Sequence, residues 1–339
     1  GGGYYEYGIN ARPAAANPGR QIVAELDYNN NITNTNNLSN RSFVEFKLAK
    51  GLKVATDYSI DIQNYKDSEF ENEIVGDGAP SGRYNQTRYI RTVTNWVQRI
   101  NYETTFAESH NLEVLLGHET FDRRYTQMYG MKSQLIVQGI YEFDNFVTPT
   151  NSSGYSSAKK NEGFFSRVNY NFMDKYYLSG SFRRDGSSVF STDVRWGNFY
   201  SIGASWRMDQ EAFIRNIDWI DQLKVRASYG EVGNDNMGDF YAYQALYETH
   251  PNAGAPGLSW DAVGNSALTW EAMESFDIAL EFGIFNRLTG SIEYYKKTNR
   301  DLLYDFPLPL SMGLDSQPRN IATMANSGIE FGLGGLIVD

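Results

Sequence analysis

The sequence predicts an all-β fold, an antiparallel transmembrane β-barrel, on three observations. Apolar and polar residues alternate with period two along most of the chain, the pattern of strands with two unlike faces. The links between these strands alternate as well, tight turns on one rim and long polar loops on the other, as in an outer-membrane barrel. No apolar run approaches the ~18 residues a membrane helix requires, so a helical membrane protein is excluded while a strand-built one is not.

Taken in order, strands are expected near 43–49, 52–63, 88–106, 112–126, 163–172, 176–184, 199–208, 222–230, 270–282, 287–297 and 326–336. In the second, Leu52, Val54, Tyr58, Ile60 and Ile62 oppose Lys53, Asp57, Ser59 and Asp61. In the fifth, Phe164, Val168, Tyr170 and Phe172 oppose Arg167, Asn169 and Asn171. The seventh sets Tyr200, Ile202, Ala204, Trp206 and Met208 against Ser201, Gly203, Ser205 and Arg207. The eighth sets Leu223, Val225, Ala227 and Tyr229 against Lys224, Arg226 and Ser228. Phe276, Ile278, Leu280 and Phe282, then Leu288, Ile292 and Tyr294, continue the alternation.

Alternation alone leaves two architectures open, because a sandwich buries its apolar faces and a barrel turns them to lipid. The connections favour the barrel. Tight turns fall at 49–51, 107–111, 173–175 and 283–286, and long links at 64–87, 127–162, 185–198, 231–269 and 298–325. Tyr170, Phe172, Tyr176 and Tyr177, and again Phe282 and Phe285, gather beside tight turns as an interfacial aromatic girdle would. One link differs: Phe213, Ile217 and Ile220 stand at helical spacing after Asp209, predicting a short amphipathic helix within 209–222. Residues 1–42, with the asparagine-rich stretch 29–40, read as a loop region ahead of barrel strands and loops over 43–336. The opening GGGYYEYG has no basic segment leading into an apolar one, so no signal peptide is expected. Eleven strands are an odd number, and the expectation is a piece of a larger barrel.

Composition narrows the function. The chain has 339 residues, no cysteine, three histidines and a net charge of −11. Disulfides and thiolate zinc sites are impossible, and an acidic chain is not expected to bind nucleic acid. His110, His118 and His250 are scattered and no nucleophile-elbow motif accompanies them, so neither a metal site nor a catalytic triad is expected. Asp57 with Asp61, and Asp277 with Glu281, could pair as glycosidase carboxylates in principle. Lumen-facing acids of a water-filled barrel account for them better. Asp235, Asn236 and Asp239 form an acidic loop without the spacing of an EF-hand, and are kept as a calcium alternative. No cofactor is expected, and the protein is read as not an enzyme.

The stretch SFRRDGSSVFSTDVRWGNFYSIGASWRM, Ser181–Met208, looks like an anion-binding loop, yet no glycine-rich strand-to-helix context supports a nucleotide site. By parity Arg183 faces the lumen with Ser179 and Ser181. Arg184 has the opposite parity at a strand end, where it can snorkel to headgroups. Arg167, Arg183, Arg207 and Arg226 are the candidate lumen contacts, with Lys224 beside them. Trp196 and Trp260, with Tyr241 and Tyr243, are candidate aromatic contacts for a ligand at lumen or loop.

These segments carry a family resemblance. RRDGSSVF (183–190), RWGNFYS (195–201), ASWR (204–207) and LKVRASYGEVGN (223–234) follow one another as in SusC/RagA-type TonB-dependent outer-membrane transporters. DLLYDFPLP (301–309) and NSGIEFGLGG (326–335) resemble the segments that come next in that family. The likeness is strong over 163–335 and looser over 41–126. It implies a 22-stranded barrel of which this chain supplies about 11 strands. It also implies a cell outer-membrane location, a SusD-like surface lipoprotein as lid, TonB acting through a plug region, and active import of oligosaccharides or peptides. Two alternatives stand beside it: a soluble or surface β-sandwich that binds glycans or acts as an adhesin, and a passive porin.

Overall fold

The computed structural model describes residues 22–336. A short helix α1 (Ile22–Tyr28) leads into β1 (Asn30–Ala49), β2 (Leu52–Glu71), β3 (Arg83–Phe106), β4 (His110–Leu135), β5 (Phe146–Phe172), β6 (Tyr176–Ser187), β7 (Trp196–Arg207) and β8 (Ile220–Asn234). Then come β9 (Leu246–Asn252), β10 (Ala255–Ala262), β11 (Glu271–Ile284), β12 (Leu288–Arg300), β13 (Leu303–Pro307), β14 (Ser316–Asn320) and β15 (Thr323–Gly335). Eleven of these form one sheet in the order β1-β2-β3-β4-β5-β6-β7-β8-β11-β12-β15. β9 with β10, and β13 with β14, are separate hairpins inside the longer links. No helix among the described residues is long and apolar enough to cross a membrane.

The described chain falls into two compact units. One takes the chain through Arg41 with residues 59–94 and 122–158, and holds an aromatic core of Phe70, Tyr84 and Phe146 against Leu135, Tyr141 and Phe143. The other takes residues 42–58, 95–121 and 159 onward, and holds a loop core of Val189, Phe190, Ala242 and Leu268.

Register turns the period-two alternation of the sequence into continuous rows. Tyr176 stands opposite Trp206, Trp206 opposite Val225, Val225 opposite Leu280, Leu280 opposite Ile292 and Ile292 opposite Phe331. The next row runs Leu178, Ala204, Ala227, Ile278, Tyr294, Ile329. These side chains are not packed against a second layer: Leu178 is 49 % exposed, Ile278 42 % and Phe331 75 %. Leaving one such residue in water instead of burying it forfeits about 1.5–3 kcal/mol. A face made of rows of them requires an apolar phase outside the protein. A sandwich would have covered them, so the single exposed sheet decides for the membrane wall.

The tight turns are sterically demanding. Ala107, Glu108, Met173, Asp174, Phe285 and Asn286 all take positive φ, as the mirror-image hairpin turns require. Asp174 is held by reciprocal bonds with Asn171: its N–H donates to Asn171 Oδ1, and Asn171 Nδ2 donates to its carboxylate. Gly51, at φ +78°, is the strictest, since a Cβ there would lie 2.0 Å from the backbone oxygen of Glu103. Backbone cannot move aside as a side chain can. Gly51→Ala is therefore expected to cost about 1–3 kcal/mol or more, read as a lower urea midpoint for the refolded full-length protein. An unchanged midpoint would show that this turn rearranges freely.

Three expectations are corrected. The loop region expected over 1–42 lies outside the described residues for 1–21 and is not a loop from Asn30 on, where strand β1 begins and Thr33 Oγ1 donates to Asp67 of β2 at 2.5 Å. Its asparagines mask the alternation because polar residues occupy both faces. The amphipathic helix within 209–222 does not form. Met208–Gln210 is a single 3-10 turn, followed by i→i+3 turns at Glu211–Ile214, Ile214–Ile217 and Ile217–Ile220. A helix this short is marginal without packing, Phe213 remains exposed, and Asp209 bonds Arg207 and Gln210. Finally, Tyr177 leaves the predicted girdle for the polar face. The girdle there is Phe172, Tyr176 and Trp206 in succession, with ring centroids 6.1 and 6.3 Å apart.

Candidate functional site: the polar face of the sheet

Opposite the apolar rows, within the larger unit, the polar face lines an open cavity of about 1240 Å³. Glu103, Glu113, Asn169, Tyr177, Lys224 and Arg226 are among its lining residues. The register explains the ion network beside it. Arg226 stands opposite Ala279, which stands opposite Glu293. The small alanine lets the guanidinium reach across two strands: Nη2 bonds Glu293 at 2.5 Å and Nε bonds Glu281 at 2.9 Å. Lys224 adds a second cation 3.5 Å from Glu281.

A second network lies toward the loop side. Arg183 Nη2 bonds Glu119 at 3.0 Å, its Nε bonds Asp185 at 2.7 Å, and the guanidinium lies 5.4 Å from the Phe165 ring centroid. Asn95 also donates to Glu119. The inward turn of Phe165 depends on Gly117 across the strand pair, where a Cβ would collide with the ring. Just past the end of β8, Asp235 collects Lys159 Nζ at 2.8 Å, Ser187 Oγ at 2.6 Å and Asn161 Nδ2 at 2.9 Å. Burial alone would raise its pKa. The three donors and the Lys159 charge outweigh that and hold the carboxyl below the usual carboxylate range.

The candidate residues thus separate. Arg183 and Arg226 anchor the two networks, and Arg207 bonds Asp209 at 2.9 Å at the turn side. Arg167 lies opposite Ser181 on the polar face, exposed and without an acid partner among the described residues. Trp196 is corrected: it is the first residue of β7, on the face of Phe164 and Arg184 rather than in the lumen or a loop. Trp260 lies in the β9–β10 hairpin, edge-on to Tyr247. Of the acids kept as a calcium alternative, Asp235 is paired with Lys159 and Asp239 accepts the Tyr241 N–H. The carboxylate pairs are also engaged, Asp57 with Arg99 and Glu281 with Arg226.

Glu119, Lys159 and Glu293 were not singled out from the sequence, and Asp235 was considered there only as a calcium ligand. Parity could have placed Glu119 and Glu293 on the polar face, but their partnership with distant arginines needed the strand register. On the apolar face His118 bridges Gln98 at 2.7 Å and Glu162 at 2.9 Å, a polar row that parity alone does not announce.

Comparison with known proteins follows this geometry. The family model described as "TonB dependent receptor-like, beta-barrel" matches residues 1–336. TonB-dependent receptor P26 of Formosa agariphila is 30% identical over 338 residues, covering 93% of this chain and 33% of the relative. TonB-dependent receptor SusC of Bacteroides thetaiotaomicron is 32% identical over 190 residues, covering 53% of this chain and 19% of the relative. A solved structure titled as the RagAB peptide transporter superposes with a TM-score of 0.86 at 27% identity, covering 92% of this chain and 35% of that one. The chain spans about a third of the length of the first three curated relatives. An exposed apolar face, a charge-laced polar face and these matches converge: the chain belongs to the TonB-dependent receptor β-barrel family of the outer membrane.

Proposed function

We propose that this chain forms part of the wall of an outer-membrane importer that takes up oligosaccharides or peptides, working with a SusD-like surface lipoprotein and powered through TonB. Within it, residues 30–336 would supply barrel strands and loops. The observation that carries the reading is the two-faced single sheet, apolar and open on one side, with paired ions around a cavity of about 1240 Å³ on the other. The match to a peptide transporter supports it. The wall performs no bond-breaking on its cargo. Its inward-facing groups, Arg167 above all, are free to make charge-assisted hydrogen bonds with a plug or a solute.

The test uses the full-length protein in its native host. Cells are supplied with fluorescently labelled oligosaccharide and peptide pools, with and without TonB, and the co-purifying lipoprotein is identified. Uptake that stops on loss of TonB is the expected result. TonB-independent uptake, or steady conductance of the purified barrel, would establish a porin instead.

A further inference from the structure

Arg183 and Arg184 are neighbours in sequence on opposite faces of β6, and their surroundings are opposite too. Arg183 has two carboxylates. Arg184 is exposed, and no carboxylate reaches it among the described residues. Its guanidinium lies 5.4 Å from the ring centroid of Trp196. Directly across on β7 stands Asn198, exposed, with no hydrogen-bond partner for its carboxamide among the described residues. The Trp196 indole N–H is likewise unpartnered. The nearby acid on this face, Glu162, has its carboxylate on His118 Nε2 at 2.9 Å.

The indole is held in place rather than loosely displayed. It rests against Gly186, where a Cβ would meet it at 3.0 Å, and its ring lies 6.4 Å from that of Phe164. Phe164 stands opposite Arg184, and Phe182 opposite Tyr200, so aromatic side chains border the site. Height follows from geometry. Tyr176, in the turn-side girdle, and Arg184 are separated by roughly 26 Å of strand at the usual rise. At barrel tilt this climbs about 20 Å through an apolar band about 25 Å tall. The long Arg184 side chain then brings its guanidinium to headgroup level on the loop side, the outer leaflet.

We propose that Arg184, Trp196 and Asn198 bind the phosphate of an anionic lipid headgroup in the outer leaflet. A guanidinium offers phosphate two parallel N–H donors. The carboxamide and indole N–H groups extend that donor set, and no free carboxylate opposes it. The arginine remains stacked on the indole while bound, its charge countered by the lipid rather than by the protein.

The test measures retention of a bis-phosphorylated lipid A by the detergent-purified full-length protein, using native mass spectrometry. Two parallel arms use the same lipid with its phosphates removed and inorganic phosphate. Arg184→Gln and Asn198→Ala should each weaken binding, the former by about tenfold or more, and Arg184→Lys should recover part of the loss. Arg124→Gln, whose arginine already bonds Asp122, should bind as the parent does. Heat-modifiable migration on gels confirms that each variant is folded. Undiminished binding by folded Arg184→Gln would overturn the proposal. So would equal binding of the dephosphorylated lipid, and tight binding of inorganic phosphate would mark a small-anion site instead.

Discussion

Arginine at Ala204 or Ala227 should cost about 2–4 kcal/mol each when the full-length barrel folds into lipid vesicles. The two alanines stand opposite each other in the row from Leu178 to Ile329, on the face with no second layer. A charge there must lose its hydration or thin the bilayer around it. Arginine at Ser205 or Ser228, one residue along, points to the polar face beside Arg226 and should cost far less. The readout is the urea midpoint of folding into vesicles, compared across the four variants. Loss at the serines with tolerance at the alanines would mean that the faces are inverted. Because the paired alanines are in contact, their double variant should deviate from additivity.

Asp235→Ala should have the second largest effect, about 2–3 kcal/mol of local stability, discounted because the carboxylate is not fully enclosed. It removes the acceptor shared by Lys159, Ser187 and Asn161, leaving a largely covered ammonium without its partner. The long link from β8 to β11 starts at this residue, so hydrogen exchange over 235–270 should speed up while the β6–β7 strand pair stays protected. The pH dependence has a definite sign. The folded carboxyl sits below the unfolded value of 3.8. Its contribution is therefore complete above about pH 4 and is lost as pH falls through the depressed folded pKa. The protection factor of the link, corrected for intrinsic exchange, should fall with acid in the parent and show no such added fall in Asp235→Ala. Unchanged exchange in the variant at neutral pH would show that the loop core of Val189, Phe190, Ala242 and Leu268 holds the link without it.

The strand-bearing part of the fold was legible because a wall one layer thick leaves its alternation uncompromised. Lys224 and Val225 must face different media, so the sequence spells out the pleat residue by residue. Strand ends were less visible. Beyond the bilayer both faces are wet, and stretches such as Arg83–Thr87 or Tyr129–Leu135 no longer need to alternate, although they continue as strand. The hairpins β9–β10 and β13–β14 were missed for the same reason. The helix expected after Asp209 came from Phe213, Ile217 and Ile220, a spacing that a series of tight turns satisfies equally well.

The candidate site divides along similar lines. Sequence parity assigned Arg183 inward and Arg184 outward, and family motifs around them pointed to the outer membrane. Trp196 was misplaced because loop and strand could not be told apart at Arg195–Trp196. From sequence alone came the class of fold, the two faces and the identity of most charged groups on each, since all three depend on local period and side-chain chemistry. Only the tertiary structure decided which acid each arginine holds. Arg226 meets Glu293 across Ala279, and Arg183 meets Glu119 from a strand two places away, and such partnerships depend on how strands far apart in sequence are set in register.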